Sequence, residues 1–301
     1  MRGSSNWHGV DRARRVLLAC AAGFAVTVAD APHAGAAGNG MKYVTSDLRK
    51  LPSRETASAT AKCPKRTFVV GGGLSIVGSN TATGMHSSYP VQLGPHRGGW
   101  RVVANSRSAS DKKLGAEAVC AKSGRYRYVS GPQVPVPNGG TDFADAYCDE
   151  GEPLIGGGVK VSGTSTVLGP GENRPFDSPV DPDDVPQDGW TAGLKNSSGA
   201  PGTLRVFAIC ERTAGAHAYR SEFDSVNSGG QGSVAAGCPA GMKVTAGGAG
   251  VSTPTGAVEL ADSHSYDNGG GNRAPDDGWY QVINNESGGS STLYTYAICR
   301  G

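Results

Sequence analysis

The residues of this chain that could perform acid–base catalysis are a few histidines in polar segments. His86 and His264 occur in similar settings, His86-Ser87-Ser88-Tyr89 and Ser263-His264-Ser265-Tyr266, which we interpret as corresponding loops. With Asp262 and a nearby serine, His264 could form a Ser/His/Asp relay in which histidine takes the proton of a nucleophilic serine. Neither a G-x-S-x-G elbow nor an H-E-x-x-H zinc motif occurs in the sequence. We therefore expect solvated loop histidines and no catalytic residue.

A second candidate is the acidic stretch between Asp177 and Asp188, whose carboxylate oxygens could bind calcium. Its five aspartates are Asp177, Asp181, Asp183, Asp184 and Asp188. Pro182 and Pro186 interrupt the stretch, which favours a solvated acidic loop without a metal or other cofactor.

Six of the seven cysteines belong to a pattern that the chain repeats three times. Each copy has a cysteine, a polar turn, an apolar run ending in glycines, a long polar loop, a tryptophan and a strand ending in a second cysteine. Equivalent cysteines should pair alike in every copy, which selects a single connectivity. The predicted disulfides are Cys63–Cys120, Cys148–Cys210 and Cys238–Cys299.

The segments around these cysteines alternate between small apolar and polar residues, as half-buried strands do. Between them lie glycines at 71–73, 156–158 and 247–248. No helix signal follows these glycines, which argues against a phosphate-binding loop. We predict that Trp100, Trp190 and Trp279 are core anchors, each packed over the glycines of its own copy.

These elements predict an all-β fold of three tandem, disulfide-stapled, β-sandwich-like repeats of about 85–90 residues. The repeats span residues 43–122, 128–212 and 218–301. The pattern leaves open whether they are separate units or close around a pseudo-threefold axis. The short linkers favour a compact arrangement.

Residues 1–36 have the features of an export signal. Four arginines precede an apolar segment at 16–29, and Ala34-Gly35-Ala36 matches an A-x-A cleavage site. Both the general and the twin-arginine route of export are compatible with this segment. We expect a secreted, extracellular protein, in which disulfides can form, and no membrane span.

Charge is distributed unevenly over the repeats. Residues 37–127 carry 15 Lys and Arg against 4 Asp and Glu, whereas residues 128–212 carry 5 against 12 and residues 213–301 carry 4 against 8. The near-zero total argues against nucleic-acid binding. The basic first repeat could dock on its acidic siblings or on a second copy, or it could bind an anionic polymer.

The last strand of each repeat contains the most suggestive side chains. Its nominally outward residues are Gly115, Glu117 and Val119; Arg205, Phe207 and Ile209; and Tyr294, Tyr296 and Ile298. Apolar side chains there need a cover, which could be a second sheet, a sibling repeat or a ligand such as a sugar. The candidate binding residues are Phe207, Tyr266, Tyr294, Tyr296 and His264.

The repeat resembles a module of secreted actinobacterial proteins. The similarity lies in Cys238-Pro239-Ala240-Gly241-Met242-Lys243-Val244, Gly278-Trp279 and Tyr296-Ala297-Ile298-Cys299, and the first repeat shares Cys63-Pro64. The second repeat departs from it with Asp149 after its first cysteine. The resemblance implies an exported β-rich module and no particular activity.

Three hypotheses for function follow. The first is a non-enzymatic secreted protein that binds carbohydrate or an anionic cell-envelope polymer through repeated modules. The second is a role in protein interaction, as a secreted protease inhibitor or an extracellular structural protein, with loops at 79–98, 169–188 and 261–277. The third is a secreted hydrolase that uses His264.

Overall fold

The described part of the chain is all-β, as the repeat predicts, and forms nineteen strands in three sheets. The computed structural model describes residues 40–94, 97–122, 124–163, 165–178, 183, 185–212, 215–252, 257–269 and 274–301. The predicted export signal therefore lies outside the described residues. Among those described, no helix could cross a membrane.

Each repeat contains six strands in the same order, except that the first strand of the first repeat is divided into two. The first repeat contains β1 (Lys42–Thr45), β2 (Arg49–Leu51), β3 (Thr56–Lys62), β4 (Phe68–Val77), β5 (Thr83–Gly94), β6 (Arg97–Ser106) and β7 (Lys112–Ala121). The second contains β8 (Tyr126–Val136), β9 (Thr141–Tyr147), β10 (Leu154–Ser162), β11 (Pro170–Phe176), β12 (Gly189–Lys195) and β13 (Gly202–Glu211). The third contains β14 (His217–Val226), β15 (Gly230–Gly237), β16 (Lys243–Val251), β17 (Val258–Tyr266), β18 (Gly278–Asn285) and β19 (Ser291–Arg300).

Every sheet is built from two repeats. Sheet 1 has the order β1-β7-β4-β17-β18-β15, with β2 also paired to β7; sheet 2 has the order β3-β6-β5-β10-β13-β8; and sheet 3 has the order β14-β19-β16-β11-β12-β9. The third strand of each repeat thus pairs with the fourth strand of the preceding one, and β4 of the first repeat pairs with β17 of the third. The three repeats form a closed ring with pseudo-threefold symmetry.

Each of the expected long loops before a tryptophan therefore contains a strand. Residues 79–98, 169–188 and 261–277 contain β5, β11 and the greater part of β17. The polar residues of these segments suggested solvated loops. In the structure, however, these strands pair across repeats, and hydroxyls and amides find hydrogen-bond partners at the junction. Ser87 and Ser88, for example, are buried in β5.

The three predicted disulfides are present and tie together the two halves of each repeat. Cys63–Cys120, Cys148–Cys210 and Cys238–Cys299 have Cα–Cα distances of 5.7, 5.6 and 5.7 Å. Each joins the end of the second strand to the sixth strand, and these two strands belong to different sheets. Three disulfides are typical of an oxidising compartment outside the cytoplasm.

Three consecutive small residues in the third strand of each repeat explain the close approach of the sheets. They are Gly71-Gly72-Gly73, Gly156-Gly157-Gly158 and Ala246-Gly247-Gly248. At the first position the three strands meet around the axis. A β-carbon on Gly71 would overlap the carbonyl oxygen of Thr245, and one on Gly156 would overlap that of Val70. Ala246 occupies the third place with its methyl group.

The second glycine of each triplet lies under a tryptophan, as predicted. A β-carbon there would overlap the indole of the same repeat. The three indoles are almost fully buried, and each Nε1–H donates to a side chain in the fourth strand of its own repeat. The acceptors are Ser88 Oγ at 2.8 Å for Trp100, Asn173 Oδ1 at 2.6 Å for Trp190 and Ser263 Oγ at 3.0 Å for Trp279.

The third glycine permits the pairing between repeats. A β-carbon on Gly73, Gly158 or Gly248 would overlap a carbonyl oxygen of the adjoining repeat, that of Ser263, Ser88 or Asn173 respectively. Any larger residue would push the neighbouring strand away. The three positions of the triplet therefore allow, in order, the close approach of strands at the axis, the packing of the tryptophan and the pairing between repeats.

The same ring places three of the nominally outward residues in the core. Val119, Ile209 and Ile298 are fully buried. Their cross-strand partners are Gly71, Gly156 and Ala246, so they face the axis rather than solvent. Glu117 is also buried.

A tyrosine near the start of each repeat closes the ring by donating to the preceding repeat. Tyr43 Oη donates to the carbonyl oxygen of Val244 at 2.7 Å, Tyr128 to that of Val69 at 2.8 Å and Tyr219 to that of Leu154 at 2.7 Å. Burial raises the pKa of all three phenols above their ordinary value, so each remains a donor.

Removing one of these hydroxyls should weaken the ring measurably. Tyr219→Phe is expected to lower the free energy of unfolding by about 1 kcal/mol, because the carbonyl of Leu154 loses its donor. Urea titration of the variant measures this. Tyr280→Phe, in a half-buried tyrosine of β18, is the matched control and should change stability by less. Equal losses in the two variants would contradict the role of the tyrosine ring.

Candidate functional site

The three sheets present equivalent rows of side chains whose backbones match and whose chemistry differs. At the centre of each row is the third glycine of a triplet, flanked by one side chain from each of two repeats. The flanking pairs are Glu117 and His264 on sheet 1, Phe207 and Tyr89 on sheet 2, and Tyr296 and Arg174 on sheet 3. One fold thus supports three different surfaces.

On sheet 1 the pair is a buried carboxyl group and a nearby imidazole. Glu117 Oε1 accepts hydrogen bonds from Ser265 Oγ at 2.7 Å and from Ser265 N at 3.2 Å. Burial raises the pKa of Glu117, and the bonds from Ser265 and the nearby His264 oppose that rise. His264 Nδ1 bonds to the carbonyl oxygen of Ser265 at 2.8 Å, and its ring lies 5.3 Å from that of Tyr280.

The Ser/His/Asp relay considered from the sequence is not assembled. Asp262 accepts from Ile76 N at 2.6 Å and from Ser79 Oγ at 3.1 Å, and burial raises its pKa. Among the described residues no serine hydroxyl bonds to His264. His264 lies in β17 and not in a loop.

His86 also lies in a strand, β5, and not in the loop expected for it. Its ring bonds to Ser87 Oγ at 2.9 Å and to the carbonyl oxygen of Gly163 at 3.0 Å. Burial lowers the pKa of His86, so the imidazole is held neutral as part of the core.

The acidic stretch uses its described carboxylates to close a turn. Asp188 accepts from Ser178 N at 2.7 Å, while Asp183 accepts from Val185 N at 2.8 Å and from Gln187 Nε2 at 2.7 Å. Asp181 and Asp184 lie outside the described residues. Within the described part of the chain, no group of three His, Cys, Asp or Glu side chains could hold a metal.

Sheet 3 presents an aromatic face, which includes two of the predicted binding residues. Its six rings are Phe143, Tyr147, Phe176, Phe223, Tyr294 and Tyr296. Phe223 is 71% exposed and Tyr147 is 51% exposed. The ring centroids of Phe223 and Tyr294 are 5.8 Å apart, and those of Tyr147 and Phe176 are 5.2 Å apart.

A charged group and a cleft complete the sheet 3 face. The guanidinium of Arg174 lies 5.6 Å from the ring centre of Tyr296, and Glu172 holds it at 2.6 Å. Ser221, Thr191 and Asp145 occupy the same row as these two residues. A cleft of about 1290 Å³, lined by Tyr147, Tyr219 and Tyr296 among others, opens beside the row.

The fold does not require this aromatic face. In the repeat register, Tyr147 corresponds to Lys62 and Gly237, Phe143 to Ser58 and Ser233, and Tyr294 to Arg205 and Gly115. The other two sheets form with those residues in place. These three rings of sheet 3 are thus surplus to folding and available for a ligand.

The five residues predicted to bind are divided among the three faces. Tyr294 and Tyr296 belong to sheet 3, Phe207 to sheet 2, and Tyr266 and His264 to sheet 1. Sequence reasoning missed Phe143, Tyr147 and Phe223. Phe143 and Tyr147 alternate with buried alanines in β9, whereas Phe223 lies between two exposed charged residues in β14. The alternation in β9 was the available signal, since it turns the two rings away from the core.

No protein-family model matches the chain, and no curated protein matches its sequence. Inference about function therefore starts from the three faces themselves.

Proposed function

We propose that this is a secreted, non-enzymatic protein that binds a neutral glycan on the aromatic face of sheet 3. The observation that carries the proposal is the set of exposed rings, three of which (Phe143, Tyr147 and Tyr294) stand where the equivalent sheets use serine, lysine, arginine or glycine. Secretion is supported by the export-like features of residues 1–36 and by the three disulfides.

The chemistry of the face suits sugar rings. A pyranose has a C–H-rich face that packs on an aromatic ring, while its hydroxyls need nearby donors and acceptors. Tyr147, Tyr294 and Tyr296 offer rings, and Asp145 and Arg174 offer polar groups in the same region. Several rings spread over one sheet would contact successive units of a chain.

The charge around the cleft favours a neutral ligand over an anionic one. Asp149, Glu150 and Asp188 line the cleft beside Tyr147. With Glu152 they outnumber Arg220, the arginine in the same wall, and would repel a polymer that carries negative charge on every unit.

The test is binding of the oxidised protein to a panel of insoluble neutral polysaccharides at low and high salt. Stacking predicts binding that resists salt. Tyr296→Ala is expected to weaken it about tenfold, equivalent to about 1.4 kcal/mol. Phe207→Ala, at the equivalent position of sheet 2, is the matched control and should leave binding unchanged.

Two results would contradict the proposal. One is the absence of saturable binding to every glycan in the panel. The other is an equal loss in the Tyr296→Ala and Phe207→Ala variants. A stoichiometric complex with a co-secreted protein, lost in the Tyr296→Ala variant, would assign the face to protein recognition instead.

A further inference from the structure

The exposed face of sheet 2 is cationic. Among the described side chains of its strands, four cations lie on the same side as Phe207: Lys62, Arg101, Lys160 and Arg205. The only Asp or Glu in these six strands is Glu211, which is fully buried and bonded to Arg300 at 2.7 Å and to His217 at 3.0 Å. The strands of sheet 2 therefore place no carboxylate on this face.

The four cations have no acidic partner among the described residues. Arg101 donates to Ser58 Oγ at 3.2 Å and Arg205 to Gln133 Oε1 at 3.1 Å, both neutral acceptors. Lys160 Nζ lies 5.7 Å from the ring centre of Tyr89. The two cations of the basic first repeat, Lys62 and Arg101, are thus not neutralised by its acidic siblings. Arg107 is the cation of residues 43–122 that forms ion pairs with another repeat in the described structure, at Glu259 and Glu286.

Two of these cations are placed where they disfavour folding. Lys160 and Arg205 are direct cross-strand partners in β10 and β13. Like charges directly opposite each other destabilise an antiparallel pair. The equivalent partners are Gly250 and Tyr294 on sheet 3, and Ser75 and Gly115 on sheet 1. The fold forms without cations there, so their role lies outside the fold.

Aromatic rings and a cavity lie among the charges. The rings of Tyr89 and Phe207 stack with centroids 5.7 Å apart and an interplanar angle of 17°. Beside them is a mainly apolar cavity of about 440 Å³ lined by Phe68, Val91 and Tyr128, with Arg66 also in its wall. Cavities of this size accommodate a small organic ring.

The spacing of the cations fits an extended ligand better than a single anionic group. They lie on β3, β6, β10 and β13, which span four strand-to-strand steps of sheet 2. At the usual separation of strands this is roughly 19 Å. Arginine forms bidentate pairs with carboxylates, and the stacked rings offer a surface for a sugar.

We propose that the face of sheet 2 binds an acidic polysaccharide, a polyuronate whose carboxylates pair with these cations while a sugar ring contacts Tyr89 and Phe207. The face is separate from sheet 3, and the proposal does not depend on neutral-glycan binding there. A nucleic acid is the competing polyanion, and the experiment below includes single-stranded DNA to distinguish the two.

The experiment measures binding of residues 37–301 to polygalacturonate by affinity electrophoresis at low and high salt. The variant Lys160→Gln/Arg205→Gln is expected to lose at least tenfold in affinity. Its resistance to urea should be unchanged or higher, since the like-charge pair is gone. A purely structural role would predict the opposite change in stability.

The matched control is Lys50→Gln/Lys113→Gln. These lysines are also direct cross-strand partners, in β2 and β7 of sheet 1, so the change in net charge is the same. Lys50 differs in that it pairs with Asp111 at 2.7 Å. Affinity within about twofold of the parent protein supports the proposal. An equal loss of affinity in both double variants would show that net charge alone explains the effect, and it would overturn the proposal.

Two further probes complete the test. Phe207→Ala should weaken polygalacturonate binding and leave neutral-glycan binding intact, whereas Tyr296→Ala should do the reverse if both faces bind. Inorganic polyphosphate or single-stranded DNA that binds as tightly as polygalacturonate would overturn the assignment to a polyuronate. No binding to polygalacturonate at low salt would overturn it as well.

Discussion

Replacing Gly73 with alanine is expected to lower the free energy of unfolding by at least about 3 kcal/mol, or to prevent folding. The added methyl group would overlap the backbone carbonyl of Ser263 and would lie 2.8 Å from the carbonyl carbon. A flexible side chain could move away from such a contact, but this oxygen belongs to β17, which pairs with β4 at this point. The junction between the first and third repeats would have to open.

The measurement is a urea or thermal unfolding curve of the oxidised protein. Gly289→Ala is the matched control, because an added methyl group there has no atom within 4 Å. It should leave the transition unchanged. If Gly73→Ala unfolded at the same urea concentration as the control, the proposed role of the third glycine would be wrong.

The second large effect is a loss of stability as pH rises, centred on Glu259. This residue stands where the other two repeats have Gly84 and Gly169, and its carboxyl fills the space that those glycines leave. Burial raises the pKa of Glu259 from its ordinary 4.5 to about 7, even though Arg107 lies 3.0 Å away. The side chain of Asn105 also opposes the rise, and Glu286 adds to it.

The direction of the pH effect follows from this shift. Below pH 4.5 the carboxyl is protonated in both the folded and unfolded states. Between pH 4.5 and about 7 the unfolded chain releases the proton and the folded chain retains it, so stability falls by about 3 kcal/mol in total. Burial also raises the pKa of Glu117 and Asp262, which adds to the same trend.

Unfolding free energies measured across this pH range, for the parent protein and for Glu259→Gln, check this prediction. The amide does not titrate, so the variant should show a shallower decline. The slope is the diagnostic quantity, because the variant also removes the ion pair of Arg107 at every pH. Parallel curves for the two proteins would assign the pH dependence to other groups.

Much of the architecture could be predicted because it depends on residues that recur at fixed spacing. The cysteine pairs and the packing of Trp100 on its glycines follow from comparing three copies of one pattern. The pairing of strands from different repeats could not be predicted, because β5 has the same alternation of side chains whether it pairs only within its repeat or also with β10. The available signal was the third glycine, such as Gly158, where an added β-carbon would overlap an atom of another repeat.

The binding faces were harder to predict because each is assembled from two repeats. Lys62 and Arg205 are 143 residues apart in the chain, yet they share one side of sheet 2. The excess charge of the first repeat was visible, but the meeting of two of its cations with two from the second repeat on sheet 2 was not. Tyr294 and Tyr296 were identified from alternation alone, whereas their companions Phe223 and Tyr147 lie on other strands of sheet 3.

Because every sheet contains strands of two repeats, the order in which strands leave the ribosome determines when each sheet can form. Sheet 2 can be completed once β13 has emerged, and sheet 3 once β19 has emerged. In sheet 1, however, β4 must wait for β17, which lies 181 residues beyond the end of β4. Until then β4 has an unpaired edge that can recruit strands from other nascent chains. Productive folding therefore needs nearly the whole chain, and we expect truncations that remove β17 to aggregate rather than to leave a two-repeat protein.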